Sequence, residues 1–130
     1  MRRLGALFLV LVAATAAVAA DGGWLRNVPA SERARTNPYA GRADAVAAGA
    51  TLYHADCAHC HGDHAEGKGR HPALRSQRIR QATDGEIAWL LKNGNIFRGM
   101  PSWSSLPEPE RWQIVAFLRS LDQAKPEGTR

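Results

Sequence analysis

The segment "CAHCH" at residues 57–61 sets two thiols three positions apart and follows the second at once with an imidazole. These are the only cysteines in 130 residues, and four of the five histidines fall within "YHADCAHCHGDHAEG", residues 53–67. Such a cluster commits a small chain to a metal, a cofactor or a redox bridge, and each choice dictates a different fold. Structural zinc takes four ligands, commonly as two pairs a dozen or more residues apart. Cys57, Cys60 and a histidine would make one half-site, but no second pair follows, and only His71 lies beyond. A blue copper site draws His, Cys, His and Met from strands, and no strand pattern is found. A thioredoxin-like Cys57–Cys60 bridge would follow a strand in a βαβ unit, whereas this pair follows a segment of helical period.

The rest of the chain narrows the choice. At 130 residues there is room for one domain. Residues 1–20, "MRRLGALFLVLVAATAAVAA", read as a signal peptide: Arg2 and Arg3, then an apolar run from Leu4, then small residues. Ala17 and Ala19, or Val18 and Ala20, satisfy the small-x-small rule for cleavage. The alternative is an uncleaved membrane anchor, and either outcome puts the domain outside the cytoplasm, in the periplasm. Removing Arg2 and Arg3 leaves 15 basic against 12 acidic residues, a net charge of +3. That excess sits between Gly62 and Ala82, where Lys68, Arg70, Arg75, Arg78 and Arg80 face only Asp63 and Glu66. A basic loop suits a partner with an acidic docking face, or it is simply a solvated loop. No nucleic-acid-binding motif is present, and a monomer is expected.

Residues 21–43 carry Gly, Pro and Asn without sustained periodicity and read as an arm, with Trp24 and Tyr39 as its anchors. The domain proper is expected over 44–122, with a polar tail at 123–130. Val46, Gly49, Ala50 and Tyr53 recur at helical spacing, which predicts a helix ending near Cys57. Gly49 inside it marks the close approach of another helix. Residues 62–82 lack regular apolar spacing and read as a loop. Thr83 and Glu86 stand in capping-box spacing and open a second helix, with Ile87, Leu90 and Leu91 inward and Gly94 as its stop. A proline-stiffened loop leads to a last helix with Ile114, Phe117, Leu118 and Leu121 on one stripe. The expectation is an all-α fold of three principal helices and long loops. Three short helices bury little, so something large and apolar belongs at the centre.

Covalent haem meets every one of these demands. C-x-x-C-H is a haem attachment sequence: Cys57 and Cys60 project from one side of a helical turn to add to two vinyl groups, and His61 is held beneath the iron. Met1 leaves with the signal, so only Met100 can supply a thioether on the far side. It lies in a loop between Gly99, which permits close approach, and Pro101, which restricts the backbone at Met100. A second histidine, His71, is the rival ligand. His54 and His59 point to solvent and His64 lies in the polar loop. Trp103 packs near the ring edge or a propionate, or in the ordinary core.

At "AAGATLYHADCAHCHG", "RGMPSW" and "ERWQIVAFLRSL" the chain resembles the class I, monohaem c-type cytochromes, over residues 44–122. The resemblance implies the cytochrome c fold around one covalent haem c. It also implies a contact of Gly49 and Tyr53 with Ile114, Phe117 and Leu118, and a carbonyl at Pro72 that orients the proximal His61. The family usually carries Gly before that proline, where this chain has His71. The chain looks like small periplasmic cytochromes that serve quinoprotein alcohol dehydrogenases or terminal oxidases. With both axial positions filled, no site remains for oxygen, so the implied role is electron transfer rather than enzymatic catalysis. A mobile carrier comes first, a fixed subunit of a dehydrogenase or oxidase complex second, and an enzyme or gas sensor with a labile sixth ligand last.

Overall fold

The computed structural model describes residues 20–123; the expected signal peptide, except Ala20, and nearly all of the expected polar tail lie outside them. The described chain is helical, with a 3-10 segment at Ala20–Asn27 and then α1 (Ala30–Arg33), α2 (Ala43–Asp56), α3 (Ala58–His61), α4 (Gln77–Gln81) and α5 (Asp84–Asn93). A 3-10 turn at Ile96–Arg98 precedes α6 (Glu108–Gln123). Among the described residues β-pairing is limited to two isolated bridges, Lys68 with His71 and Asn95 with Met100.

The centre of the fold is the crossing of α2 and α6, and glycine sets its depth. A β-carbon at Gly49 would stand 2.0 Å from the Gln113 carbonyl oxygen and 3.0 Å from Phe117 Cβ, so no other residue lets the two helices come this close. One turn on, Tyr53 is fully buried, its ring 5.1 Å from that of Phe117. Ile114, Val115 and Leu118 complete the α6 face, with Ile87 and Leu91 of α5 in the same cluster.

α5 begins as the sequence predicts. The Thr83 hydroxyl accepts the Glu86 N–H at 3.1 Å and the Glu86 carboxylate accepts the Thr83 N–H at 2.7 Å, a complete capping box. Two helical turns that periodicity missed differ from the sequence reading. α4 interrupts the 62–82 loop, and α1 gives the arm a short helix. Each is four or five residues, too short to show a 3.6-residue period.

The arm is strapped to the domain by polar contacts. Arg33 pairs with the buried Glu86 at 2.8 Å. Arg35 pairs with Glu108 and stacks over the Trp112 ring, 5.2 Å from its centroid. Asn37, itself buried, donates its amide to the Trp112 carbonyl at 3.0 Å. Trp24 and Tyr39 pack partly buried against the core, but the deepest arm residues are Val28 and Asn37.

Candidate haem site

Cys57 closes α2 and opens α3, so the helix is bent there but hardly interrupted. The backbone N–H groups of Cys60 and His61 both donate to the Cys57 carbonyl, at 3.2 and 3.0 Å. Both sulfurs are free thiols, Cys57 buried and Cys60 half-buried. Burial pushes the Cys57 thiol up to about 12, so it is protonated at neutral pH.

The geometry of His61 carries the most information. Its Nδ1 lies 2.9 Å from the Pro72 carbonyl oxygen. A carbonyl only accepts, so Nδ1 carries the hydrogen and Nε2 keeps its lone pair. Burial, the largest influence, lowers the pKa of this imidazole and keeps the ring neutral. A neutral imidazole held by one nitrogen and open at the other has the form of a metal ligand.

The loop that brings Pro72 back under His61 is tightly folded. Gly67 N–H donates to the His61 carbonyl at 2.7 Å, and Leu74 N–H to that of Ala65 at 2.9 Å. Ala65 sits at a φ of +58° and Gly67 at +86°. A β-carbon at Gly67 would meet His71 O at 2.8 Å and Ala73 N at 2.9 Å. The Tyr53 phenol, its pKa raised to about 12 by burial, donates to the Gly62 carbonyl at 2.6 Å. The residue that heads the site is thereby tied to the helix below it.

Met100 lies on a separate loop. It exchanges backbone hydrogen bonds with Asn95, 2.9 and 3.1 Å, and packs partly buried against the core. Gly99 before it takes a left-handed φ of +82°. Trp103 N–H donates to the Leu91 carbonyl at 2.8 Å, which pins the loop to α5, and the Trp103 ring packs partly buried on the same core. His54, His59, His64 and His71 are all exposed; the His71 ring stands 6.4 Å from that of His61.

Among the described residues no three His, Cys, Asp or Glu side chains converge as a metal site. An iron here would take most of its ligands from a macrocycle. Two free thiols one helical turn apart, a neutral imidazole anchored through Nδ1 and a half-buried thioether make a donor set that fits a c-type haem. Of the contacts that build it, Pro72 contributes only a backbone oxygen, which no side-chain chemistry marks. Asn37, Ala65 and the pairing of Glu86 with Arg33 went unnoticed in the sequence because their partners lie on other segments or in the main chain.

The basic loop is partly tied down: Arg75 donates to the Leu121 carbonyl at 3.1 Å, and Arg80 lies 4.0 Å from Asp122. Lys68 and Arg70 are exposed.

A protein-family model described as cytochrome c oxidase, cbb3-type, subunit III, matches residues 44–118, more than half of the chain. The chain is also similar to cytochrome cL from the marine methylotrophic bacterium Methylophaga aminisulfidivorans MPT, a crystal structure, at 31% identity and a TM-score of 0.58. The similarity covers 65% of this chain and 58% of that one, so less than two thirds of the relative's length is represented. No curated protein sequence matches the chain significantly.

Proposed function

The chain belongs to the c-type cytochromes, electron-transfer proteins with covalently bound haem c, and from that premise we propose a periplasmic one-electron carrier with His61 and Met100 as axial ligands. Cys57 and Cys60 provide the two thioethers. The observation that supports this most directly is the 2.9 Å contact between His61 Nδ1 and Pro72 O, which leaves the Nε2 lone pair free to bind a metal.

Bound there, the haem supplies a reversible Fe(III)/Fe(II) couple. The chain's work is to hold it and tune it. The Pro72 carbonyl fixes the orientation of the His61 ring and makes it a better donor. The Met100 thioether favours the ferrous state and raises the reduction potential. The Tyr53–Gly62 bond and the α2–α6 crossing keep the attachment turn in place through a redox cycle.

Export is proposed to run through residues 1–20, of which 1–19 lie outside the described residues. No helix among those described is long and apolar enough to cross a membrane. The partner is a redox protein with an acidic face, met by the chain as a monomer. A second reading, a fixed subunit of a larger oxidoreductase, is favoured by the family model's own description as an oxidase subunit. Co-purification with a large partner through the periplasmic fraction selects it.

The optical spectrum of the purified protein tests the core of the proposal. Expected are a haem that survives acid–acetone extraction, a pyridine spectrum with both vinyl groups saturated, and a sulfur-to-iron band in the ferric state. Carbon monoxide binding at neutral pH would refute filled axial positions.

A further inference from the structure

Arg111 is 8% exposed, a buried charge near the start of α6. Its Nη1 donates to the Leu106 carbonyl and lies 3.5 Å from that of Trp103. Those two residues close the turn that follows Met100, since the Leu106 N–H donates to the Trp103 carbonyl at 3.1 Å. On its other side the same span is held to α5, by Trp103 N–H on the Leu91 carbonyl at 2.8 Å and by Ser102 Oγ on that of Lys92 at 2.5 Å. Arg111 is the α6 side chain that holds the span next to Met100.

An arginine so buried attracts any carboxylate within reach, because Coulomb attraction grows as water is excluded. Glu108 is within reach. It lies three residues earlier on the same helix, a spacing that sets two side chains next to each other. Its pKa is lowered first by the bond from Arg35, with the Arg111 charge a smaller contributor. Its carboxylate, however, is bonded elsewhere. Oε1 pairs with Arg35 of the arm and accepts the Trp112 Nε1–H at 3.3 Å. The Arg35 guanidinium, also paired with Glu32 at 3.2 Å, lies over the Trp112 ring. Arg35 and Trp112 together keep Glu108 on the arm, and Arg111 stays with the carbonyls of the Met100 loop.

We propose that Arg35 is a positioning residue for Met100: by holding Glu108 on the arm it keeps Arg111 on the carbonyls of Trp103 and Leu106, and so steadies the loop that carries the thioether. This rests on the axial role proposed for Met100 and deepens it, giving the arm a part in the site. Without Arg35, Glu108 turns to Arg111, the guanidinium leaves the loop and Met100 is displaced more easily. Removing Glu108 breaks the same arm contact but sends no carboxylate to Arg111, so the arm loosens while Met100 stays.

The test is imidazole binding to the ferric holoprotein, followed at the sulfur-to-iron band, in the wild type, Arg35→Gln, Glu108→Gln and the double variant. Imidazole competes with Met100 for its position, so its affinity reports how firmly the thioether is held. Expected is a roughly three- to tenfold tighter imidazole binding in Arg35→Gln alone. Glu108→Gln should keep the wild-type affinity, and the double variant should return to it. Amide hydrogen exchange over residues 30–37 should quicken in all three variants, so that the arm is loosened in each. An unchanged affinity in Arg35→Gln overturns the proposal. An equal rise in all three variants overturns it too, because the arm would then act by its packing and not through Glu108. A double variant that binds imidazole as tightly as Arg35→Gln does the same. A sulfur-to-iron band that persists in Met100→Ala removes the axial reading itself, whatever Arg35 does.

Discussion

The loop on the His61 side and the loop on the Met100 side are built in opposite ways. From Cys57 to Leu74 the chain folds back on itself, with bonds from Gly67 to His61, Leu74 to Ala65 and His61 Nδ1 to Pro72. From Asn95 to Leu106 it is fixed by the Asn95–Met100 pair, by bonds from Trp103 to Leu91 and Ser102 to Lys92, and by Arg111 on the Leu106 carbonyl, while Ile96 and Phe97 at its tip are exposed. The chemistry of the two side chains explains the difference. An imidazole must be turned to the right angle and kept in one tautomer, which takes a partner for its second nitrogen. A thioether has no hydrogen to place, so delivering its sulfur to the right spot is enough. The first loop therefore invests in orientation, and the second is free to present a surface.

The largest effect should come from removing each proposed ligand in turn. His61→Ala is expected to abolish a stable low-spin haem and to cost on the order of 5 kcal/mol, comparable to the whole stability of such a domain. Met100→Ala should keep covalent haem and the fold, lower the midpoint potential and admit carbon monoxide. Spectra and thermal melts of the two variants decide it. If both unfolded alike, the asymmetry between the loops would be lost.

A glycine in each loop sharpens the same contrast. Gly67 and Gly99 both hold a left-handed φ, +86° and +82°. A β-carbon on Gly67 meets the backbone of His71 and Ala73 within 3 Å, whereas one on Gly99 meets nothing within 4 Å. Gly99→Ala should then cost only conformational strain, roughly 1–2 kcal/mol. Gly67→Ala adds a collision with backbone and should cost about 2–4 kcal/mol, with the Pro72 carbonyl displaced from His61. Denaturant titration of the holoproteins gives both numbers; equal costs would mean that the His61 loop is no tighter than its counterpart.

How far the sequence reveals this arrangement depends on where the information sits. The α2 and α6 stripes, the Thr83–Glu86 box and the Gly49 crossing are legible because each is a local pattern with a fixed spacing. Cys57, Cys60, His61 and Met100 stand out by residue type, since few side chains bind iron or a vinyl group. Pro72 enters only through resemblance, because its contribution is a main-chain oxygen. The arm is the opposite case. Its helical turn is too short for periodicity, and its fixings join residues as far apart as Asn37 and Trp112. The exposed Phe97 also gave no signal, for nothing in "NIFRGM" distinguishes a side chain at the surface from one in the core.

That arm bears on the Met100 side, since it grips α5, which leads into the Met100 loop. Asn37→Ala would remove a second donor to the Trp112 carbonyl, which lies within α6, and the Oδ1 that accepts the Tyr39 N–H, and should cost about 1–2 kcal/mol. Faster amide exchange is expected in the arm and in the first turns of α5 and α6, with the attachment turn at Cys57–His61 unaffected. Equal acceleration at Cys57–His61 would show that the arm supports both sides together.

The smallest effect is a titration. Arg35 beside Glu108 holds that carboxyl below its usual range, and the same pairing raises Arg35. A depressed acid contributes stability that is complete above its ordinary value near 4.5 and is lost as pH falls through the lower folded value. Both side chains are nearly half exposed, so the contribution is under about 1 kcal/mol. Acid should therefore loosen the arm slightly, seen as faster proteolysis near Arg35 at pH 3 than at pH 7. Glu66 in the His61 loop is also depressed, chiefly by backbone N–H donors, its own and that of His64, so acid alone cannot separate the two regions. Glu108→Gln can. It should abolish the acid sensitivity of the arm and leave that of the His61 loop intact, and an arm that still loosens in acid would mean that the Arg35–Glu108 pair is not what holds it.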